Sequence, residues 1–331
     1  MSSLSEQVNS QVLGVGLVGT GYVSKLRSET FSADERSRVV AVNGRSPEKT
    51  EEFSQNCRAK PISSAQELVA RADVDLVVLA NINCDRYEIG KAALNAGKHL
   101  IVEYPLALDL REAEHLMALA AERGKLLHVE HIELLGGLHQ GLKENLAHIG
   151  KPFYAKYSTI APQHPAPRKW TYNHKLFGFP LMGALSRVHR AIDLLGEVAS
   201  VSCQAQYWDV DGGFYTACLC TAQLKFTSGL VAEITYGKGE TFWEGVNRFE
   251  ICGEQGKIVF DGDRGTLFQK AEQTDIQLGS RRGLFAKDTT MILDYLTDGT
   301  PLYVKPEASF YALKVADAAR ISAESGKTVF L

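Results

Sequence analysis

The thirteen residues LGVGLVGTGYVSK (13–25) limit the fold of this chain more than any other feature. An apolar run ends in a glycine-rich turn and passes into a segment of helical composition. A strand, a tight turn and a helix in that order open a βαβ nucleotide-binding unit, because backbone N–H groups and the helix dipole then face a pyrophosphate. Two glycine patterns overlap. Gly14, Gly16 and Gly19 fit GxGxxG literally but lie within the apolar run. Gly19, Gly21 and Ser24 fit it loosely, with a serine small enough for close helix packing, and only this set follows the strand. Gly19, Thr20, Gly21, Tyr22 and Val23 are therefore expected to hold the phosphates.

The following residues repeat the strand–helix rhythm. Strands are predicted at 11–18, 38–43, 75–80, 99–104 and 125–132, and LREAEHLMALAAERG (110–124) is a helix stopped by Gly124. This alternation implies a doubly wound parallel sheet. After GKP (150–152) the texture changes to β-rich runs separated by turns such as TSG, GEQG and DGDRG. They imply a large, mostly antiparallel sheet, interrupted by a helix near 183–195 and followed by one near 286–297. The fold class is α/β Rossmann followed by α+β. The expected division is a loose lead-in (1–10), a dinucleotide-binding domain (11–133) and a substrate domain (134–331).

With 331 residues the chain can bury two cores. Its net charge of −3, with both signs interspersed, argues against a nucleic-acid partner. No apolar run is long enough for a membrane span, and MSSLSEQVNS lacks the features of a signal peptide. The six cysteines show no zinc-like spacing, and Cys218 and Cys220 read as small buried hydrophobes on one strand face. A cytoplasmic, metal-free protein is expected.

If the second strand selected NAD, its tip would carry an acidic residue for the ribose 2′-hydroxyl. It reads VNGRS instead, and Arg45 and Ser46 suit a 2′-phosphate. NADPH is the expected cofactor, with NADH as the alternative. Ala80, Asn81, Asn83 and Glu103 complete the expected cofactor contacts.

The layout resembles the Gfo/Idh/MocA family of NAD(P)-dependent oxidoreductases over nearly the whole chain. ALNAGKHLIVEYPL (93–106) looks like the family segment ending in Glu-Lys-Pro, whose lysine assists proton transfer at a sugar hydroxyl, but Tyr104 holds the lysine's place. In GALSRVHRAIDLLG (183–196) the family's Asp and His positions are Ser186 and Arg190, and a further histidine after the third strand is Arg86. Oxidising an alcohol needs a base that titrates near neutrality, and neither a tyrosine nor an arginine does so. One branch of the family shares these departures, the branch that reduces biliverdin. The sequence resembles it in VEYP (102–105), HVEHIELL (128–135), FGFP (177–180), Ser186-Arg187 and Asn247-Arg248-Phe249.

That resemblance implies reduction of the central methine bridge of a linear tetrapyrrole, biliverdin, to give bilirubin. No alcohol is deprotonated in that reaction, so the lysine and histidine have no role. The resemblance makes Arg187 the principal catalytic candidate, stabilising charge as hydride arrives, with Tyr104 as a hydrogen-bond donor beside it. Tyr104, His131, Trp170, Arg187, Arg190 and Arg248 are the expected substrate contacts, and Arg187 and Arg190 share one helix face. Glu130 and Glu133 either bound the cavity or hydrogen bond at the domain interface, and His189 reads as structural. Arg281 and Arg282 form a solvated basic loop or meet a propionate. Two other readings stay open at this stage: an NADP-dependent dehydrogenase of a sugar or small carbonyl, and a non-catalytic dinucleotide sensor. The chain is expected to be a monomer or a homo-oligomer formed through the sheet face.

Overall fold

The computed structural model describes residues 12–279 and 282–331. Six short strands, β1 (Leu13–Val18), β2 (Ser37–Asn43), β3 (Lys60–Ile62), β4 (Leu76–Leu79), β5 (His99–Glu103) and β6 (Leu127–Glu130), form the first sheet. Their order is β3-β2-β1-β4-β5-β6 and every pairing is parallel. The order reverses between β1 and β4, where a doubly wound sheet opens its ligand crevice. β6 is shorter than the predicted 125–132, because Gly124 and Lys125 are still closing the preceding helix and His131 leaves extended geometry at ψ 54°.

Local chemistry places each helix. Asp109 caps Leu110–Arg123 by accepting from Arg111 N at 2.8 Å, and Gly124 ends that helix in the left-handed region. Both glycine patterns have a steric reason. A Cβ on Gly14 would lie 1.9 Å from the Asp73 carbonyl oxygen, which explains a strand glycine with no phosphate role. Gly19 adopts φ +120°, and a Cβ there would lie 2.5 Å from the Ala80 carbonyl oxygen, so the turn requires glycine.

The second sheet contains β7 (Pro152–Pro162), β8 (Val198–Trp208), β9 (Ala217–Phe226), β10 (Val231–Gly239), β11 (Val246–Gly253), β12 (Gly256–Asp261), β13 (Arg264–Gln269), β14 (Glu272–Ile276) and β15 (Val329–Phe330). Their order is β14-β13-β12-β11-β7-β10-β9-β8-β15, antiparallel except for the β7–β10 pair. One face is covered by the helices Ser186–Leu195 and Pro306–Ser325, and Ala222, Leu224, Ala316 and Ala319 are among the buried residues of that core. The helix Leu284–Asp298 returns to the first sheet. Its Ile292 and Leu293 pack with Val15, Leu17 and Phe31. Among the described residues no helix is long and apolar enough to cross a membrane.

Candidate active site

The cofactor turn sits at the carboxyl end of β1. Gly19 N donates to Asn43 O at 2.8 Å, Gly21 is the N-cap of the helix Tyr22–Ala33, and nothing lies within 4 Å of a Cβ built on Gly21. The free amides of the first helical turn thus face open space, as a pyrophosphate requires. Thr20 and Val23 are half-buried beside this turn and Tyr22 is exposed. Arg45 projects from the end of β2 into solvent. Ser46 caps the next helix, accepting from Lys49 N at 3.4 Å and donating to Glu48 at 2.8 Å. Ala80 and Asn81 stand half-buried at the tip of β4.

Two expected cofactor contacts are turned elsewhere. Asn83 is 3% exposed and its Nδ2 donates to Phe177 O at 2.8 Å, tying the first domain to the second. Glu103 directs its carboxylate inward to Arg27 Nε at 2.7 Å.

Arg86, which stands where the family resemblance puts a histidine, is buried beneath the site. It donates to the carbonyls of Glu103 at 2.6 Å, Pro105 at 3.0 Å and Asn81 at 2.9 Å. It thereby fixes the turn that carries Tyr104, whose peptide bond to Pro105 is cis. Burial pulls the Arg86 pKa down to about 10.

The Tyr104 ring stacks on His131 with centroids 5.5 Å apart, and its hydroxyl donates to Ser186 Oγ at 3.2 Å. Burial and the nearby Glu133 push this phenol well above the usual tyrosine range, so it stays protonated. Ser186 Oγ also accepts from Arg187 Nη1 at 2.9 Å, while Arg187 Nε donates to Thr159 Oγ1 at 3.2 Å. The Arg187 guanidinium carbon lies 5.5 Å from the centre of the Tyr236 ring. One helix turn on, Arg190 donates to Tyr157 Oη at 2.5 Å and to Glu133 O at 3.2 Å.

These groups open on a cavity of about 810 Å³. Tyr104, Glu130, Ser186, Arg187 and Arg190 line it, together with Thr159, Tyr236 and Asn247 of the second sheet. Leu278, Arg282 and Phe285 also line it. Arg281 lies outside the described residues. The room suits a large, flat, largely apolar ligand that carries anionic groups.

Three expected substrate contacts do not line this cavity. His131 is fully buried behind Tyr104, with Nδ1 2.9 Å from Glu133 Oε1 and Nε2 2.8 Å from Ser309 Oγ. Burial draws its pKa down to about 4, so the ring is neutral. Arg248 pairs in register with Ser158, whose neighbours Tyr157 and Thr159 face the cavity, so strand alternation sends it to the other face. There it bonds Glu250 at 3.2 Å and Asp261 at 2.8 Å. Trp170 lies in the turn Trp170–Tyr172, its ring 5.9 Å from Phe177. Lys238 pins that turn by donating to Thr171 O.

A buried ionic layer ties the domains together. Arg27 is fully buried and bonds Glu103 at 2.7 Å and Asp288 at 2.8 Å. Asp288 also bonds His128 at 2.8 Å and accepts from Tyr303 Oη at 2.8 Å. His189, expected to be structural, bonds Glu133 Oε1 at 3.3 Å. His131, Glu133 and His189 bring ligand-type atoms within 4.8 Å of one another, a grouping that could hold a metal ion, although here the carboxylate bonds both rings.

Residues 13–131 match the family model described as an oxidoreductase family, NAD-binding Rossmann fold, and residues 143–331 match its C-terminal alpha/beta domain. The chain belongs to the Gfo/Idh/MocA oxidoreductase family. Among curated proteins, this family member is 29% identical over 191 residues to biliverdin reductase A of Homo sapiens, covering 58% of this chain and 59% of that protein. It is 30% identical over 189 residues to the Mus musculus protein of the same name, covering 57% and 60%. The matched stretch thus spans less than two thirds of those relatives. A crystal structure of biliverdin reductase from Synechocystis sp. PCC 6803, in complex with biliverdin and NADP+, is 49% identical with a TM-score of 0.93 and covers 95% of this chain and 100% of that one. The 3-ketoreductase KijD10 from Actinomadura kijaniata shares the fold, at 22% identity and a TM-score of 0.82, over 94% of this chain and 98% of that one.

Proposed function

We propose that this enzyme reduces the central methine bridge of biliverdin to give bilirubin, using NADPH. The observation that carries the reading is the Arg187 guanidinium, fixed by Thr159 and Ser186 beside the protonated Tyr104 on a cavity of about 810 Å³. Among the described residues no lysine or histidine lines that cavity to deprotonate an alcohol. The likeness to the Synechocystis protein, at 49% identity over its full length, supports the reading.

The residues fit a dinucleotide. Only glycine is tolerated at position 19, the amides after Gly21 are unobstructed, and Arg45 is exposed at the tip of β2 to meet a 2′-phosphate. NADPH bound there supplies the hydride. Arg187 lines the cavity with Nε and Nη1 held by Thr159 and Ser186, and it stabilises the negative charge that spreads over the tetrapyrrole nitrogens. Its always-protonated guanidinium needs no proton bookkeeping for this role. Tyr104 and Ser186 hold Arg187 in place and exclude water from one edge of the pigment. Arg190, committed to Tyr157 and Glu133, sets the positive potential that favours the propionates. Six unpaired cysteines accord with a reducing, cytoplasmic setting.

NADPH oxidation measured with biliverdin and with a panel of polyols and sugar nucleotides tests the proposal. Oxidation with biliverdin alone is expected. Turnover confined to the polyols or sugars would replace the reading with a sugar dehydrogenase, and tight NADPH binding with no turnover of any compound would replace it with a sensor.

A further inference from the structure

Three ligand-type side chains meet between the end of the first sheet and the helix that carries Arg187. His131 and Glu133 directly follow β6, and His189 stands two residues beyond Arg187 on the helix Ser186–Leu195. His131 and His189 are 0% and 1% exposed and Glu133 is 9% exposed. Their ligand-type atoms lie within 4.8 Å of one another, and the two imidazole centroids are 3.9 Å apart.

Hydrogen bonding leaves this cluster unbalanced. Both rings direct Nδ1 at the same carboxylate oxygen, Oε1, which lies 2.9 Å from His131 and 3.3 Å from His189. The other oxygen, Oε2, is buried and has no hydrogen-bond partner among the described residues. A buried polar atom left unpaired is costly and calls for an explanation. None of the cations packed nearby takes it. Arg190 donates to Tyr157 Oη and to the Glu133 carbonyl, and Arg187 donates to Thr159 and Ser186. Arg27 bonds Glu103 and Asp288, and Arg86 bonds backbone carbonyls. Of the other groups around the cluster, Tyr104 donates to Ser186, His128 bonds Asp288, and Glu130 accepts from Ile132 N.

Zinc held by imidazole and carboxylate has bonds of about 2.0–2.2 Å, which sets tetrahedral ligand atoms about 3.3–3.6 Å apart. The 3.3 Å contact already meets that spacing, and the 2.9 Å contact needs only a small opening. Coordination through Nδ1 would leave the His131 proton on Nε2, which lies 2.8 Å from Ser309 Oγ. Metal-bound histidines donate their second N–H to a partner in this way. Two imidazoles and one carboxylate are the protein ligands of zinc sites that keep a fourth position open. Glu133 lines the cavity, from which a water or ligand can reach that position.

We infer that His131, Glu133 and His189 form a binding site for a divalent transition metal, zinc by its ligand set, which pins the end of β6 to the helix of Arg187. The expectation of a metal-free protein came from cysteine spacing, and this set contains no cysteine. The Arg187 and Arg190 charges oppose a dication and lower its affinity without occupying its ligands. The inference does not depend on the biliverdin reading, and its test involves no turnover.

The full chain, stripped with a chelator and titrated with Zn2+ alone against a chromophoric competitor, should bind one ion. His189→Gln and Glu133→Gln should weaken that binding by at least about 100-fold, the upper end of the cost of losing an outer partner of a metal ligand. Ser309→Ala removes only the hydrogen bond behind His131 and should weaken it about tenfold. Co2+ in place of Zn2+ should give visible ligand-field bands with no thiolate charge-transfer band in the near ultraviolet, which separates this site from binding at the six cysteines. Failure of the wild type to bind one Zn2+, a thiolate band, or an affinity unchanged in Ser309→Ala and His189→Gln would each overturn the inference, the last by showing an adventitious ion only. If the ligand variants do not fold by circular dichroism, the wild-type Co2+ spectrum and the conservative Ser309→Ala decide the matter.

Discussion

Replacing Arg187 with methionine removes the charge and keeps much of the apolar stem. A guanidinium has five N–H donors. Arg187 lines the cavity and commits Nε to Thr159 at 3.2 Å and Nη1 to Ser186 at 2.9 Å, which leaves Nη2 without a protein acceptor among the described residues. The fork is therefore set before substrate arrives, and little reorganisation opposes it when charge develops on the pigment. Loss of one such fixed donor in a water-poor site costs about 2.7–4 kcal/mol of transition-state stabilisation, or about 100–1,000-fold in kcat. Single-turnover reduction, followed by the loss of biliverdin absorbance, reads the chemical step directly. NADPH titration by fluorescence should give an unchanged Kd, since Arg187 belongs to the helix Ser186–Leu195 and not to the glycine turn. Arg187→Lys should fall between, because one ammonium cannot reproduce a fork held at two points. A loss below about fivefold in Arg187→Met would refute the charge-stabilising role.

Arg27→Met should lower the unfolding free energy at neutral pH by about 3–5 kcal/mol, because it leaves Glu103 and Asp288 buried without their shared cation. Against the effect of burial, His128 and Arg27 hold the Asp288 carboxyl well below the usual range. Its contribution is thus complete above the unfolded value of about 4 and lost as pH falls through the folded one, and urea titrations of wild type and variant should converge in acid. Arg45→Ala should weaken NADPH about tenfold and leave NADH unchanged, a loss at the low end for charged hydrogen bonds because the site is exposed. Equal losses for both dinucleotides would show that Arg45 does not contact the 2′-phosphate. Tyr104→Phe keeps the stack on His131 and removes one hydrogen bond to Ser186, so kcat should fall about fivefold, and a loss as large as that of Arg187→Met would make the hydroxyl a principal catalytic group.

The doubly wound sheet was legible because its glycines answer to backbone geometry. Gly19 and Gly124 need left-handed φ, and strand, turn and helix follow in a fixed order. Two helices of the second half, near 183–195 and 286–297, were legible from apolar runs, but the long helix Pro306–Ser325 was not foreseen. β3 and β15 were not, since three and two residues carry no periodicity. Within the site, Tyr104, Arg187 and Arg190 could be placed because they stand where the family resemblance puts catalytic groups. His131 and Arg248 could not, because their direction depends on the end of β6 and the register of β11. Asn83 was missed as an interdomain tie because its partner is a backbone carbonyl 94 positions away. Thr159 and Glu130 left faint signals. One is two residues from Tyr157 on a strand, and the other ends a strand beside the one that ends in Glu103. A buried charge layer is invisible in sequence, because Arg27 meets Asp288 only when the helix Leu284–Asp298 folds back onto the first domain.

The central claim is that this cavity serves methine reduction, and the most direct measurement is the visible spectrum of biliverdin mixed with the protein and NADPH under anaerobic conditions. The account expects the blue-green absorption to give way to the yellow of bilirubin, one pigment per NADPH oxidised, with no change when NADPH is omitted. A spectrum that stays blue-green while NADPH is independently shown to be bound would contradict it.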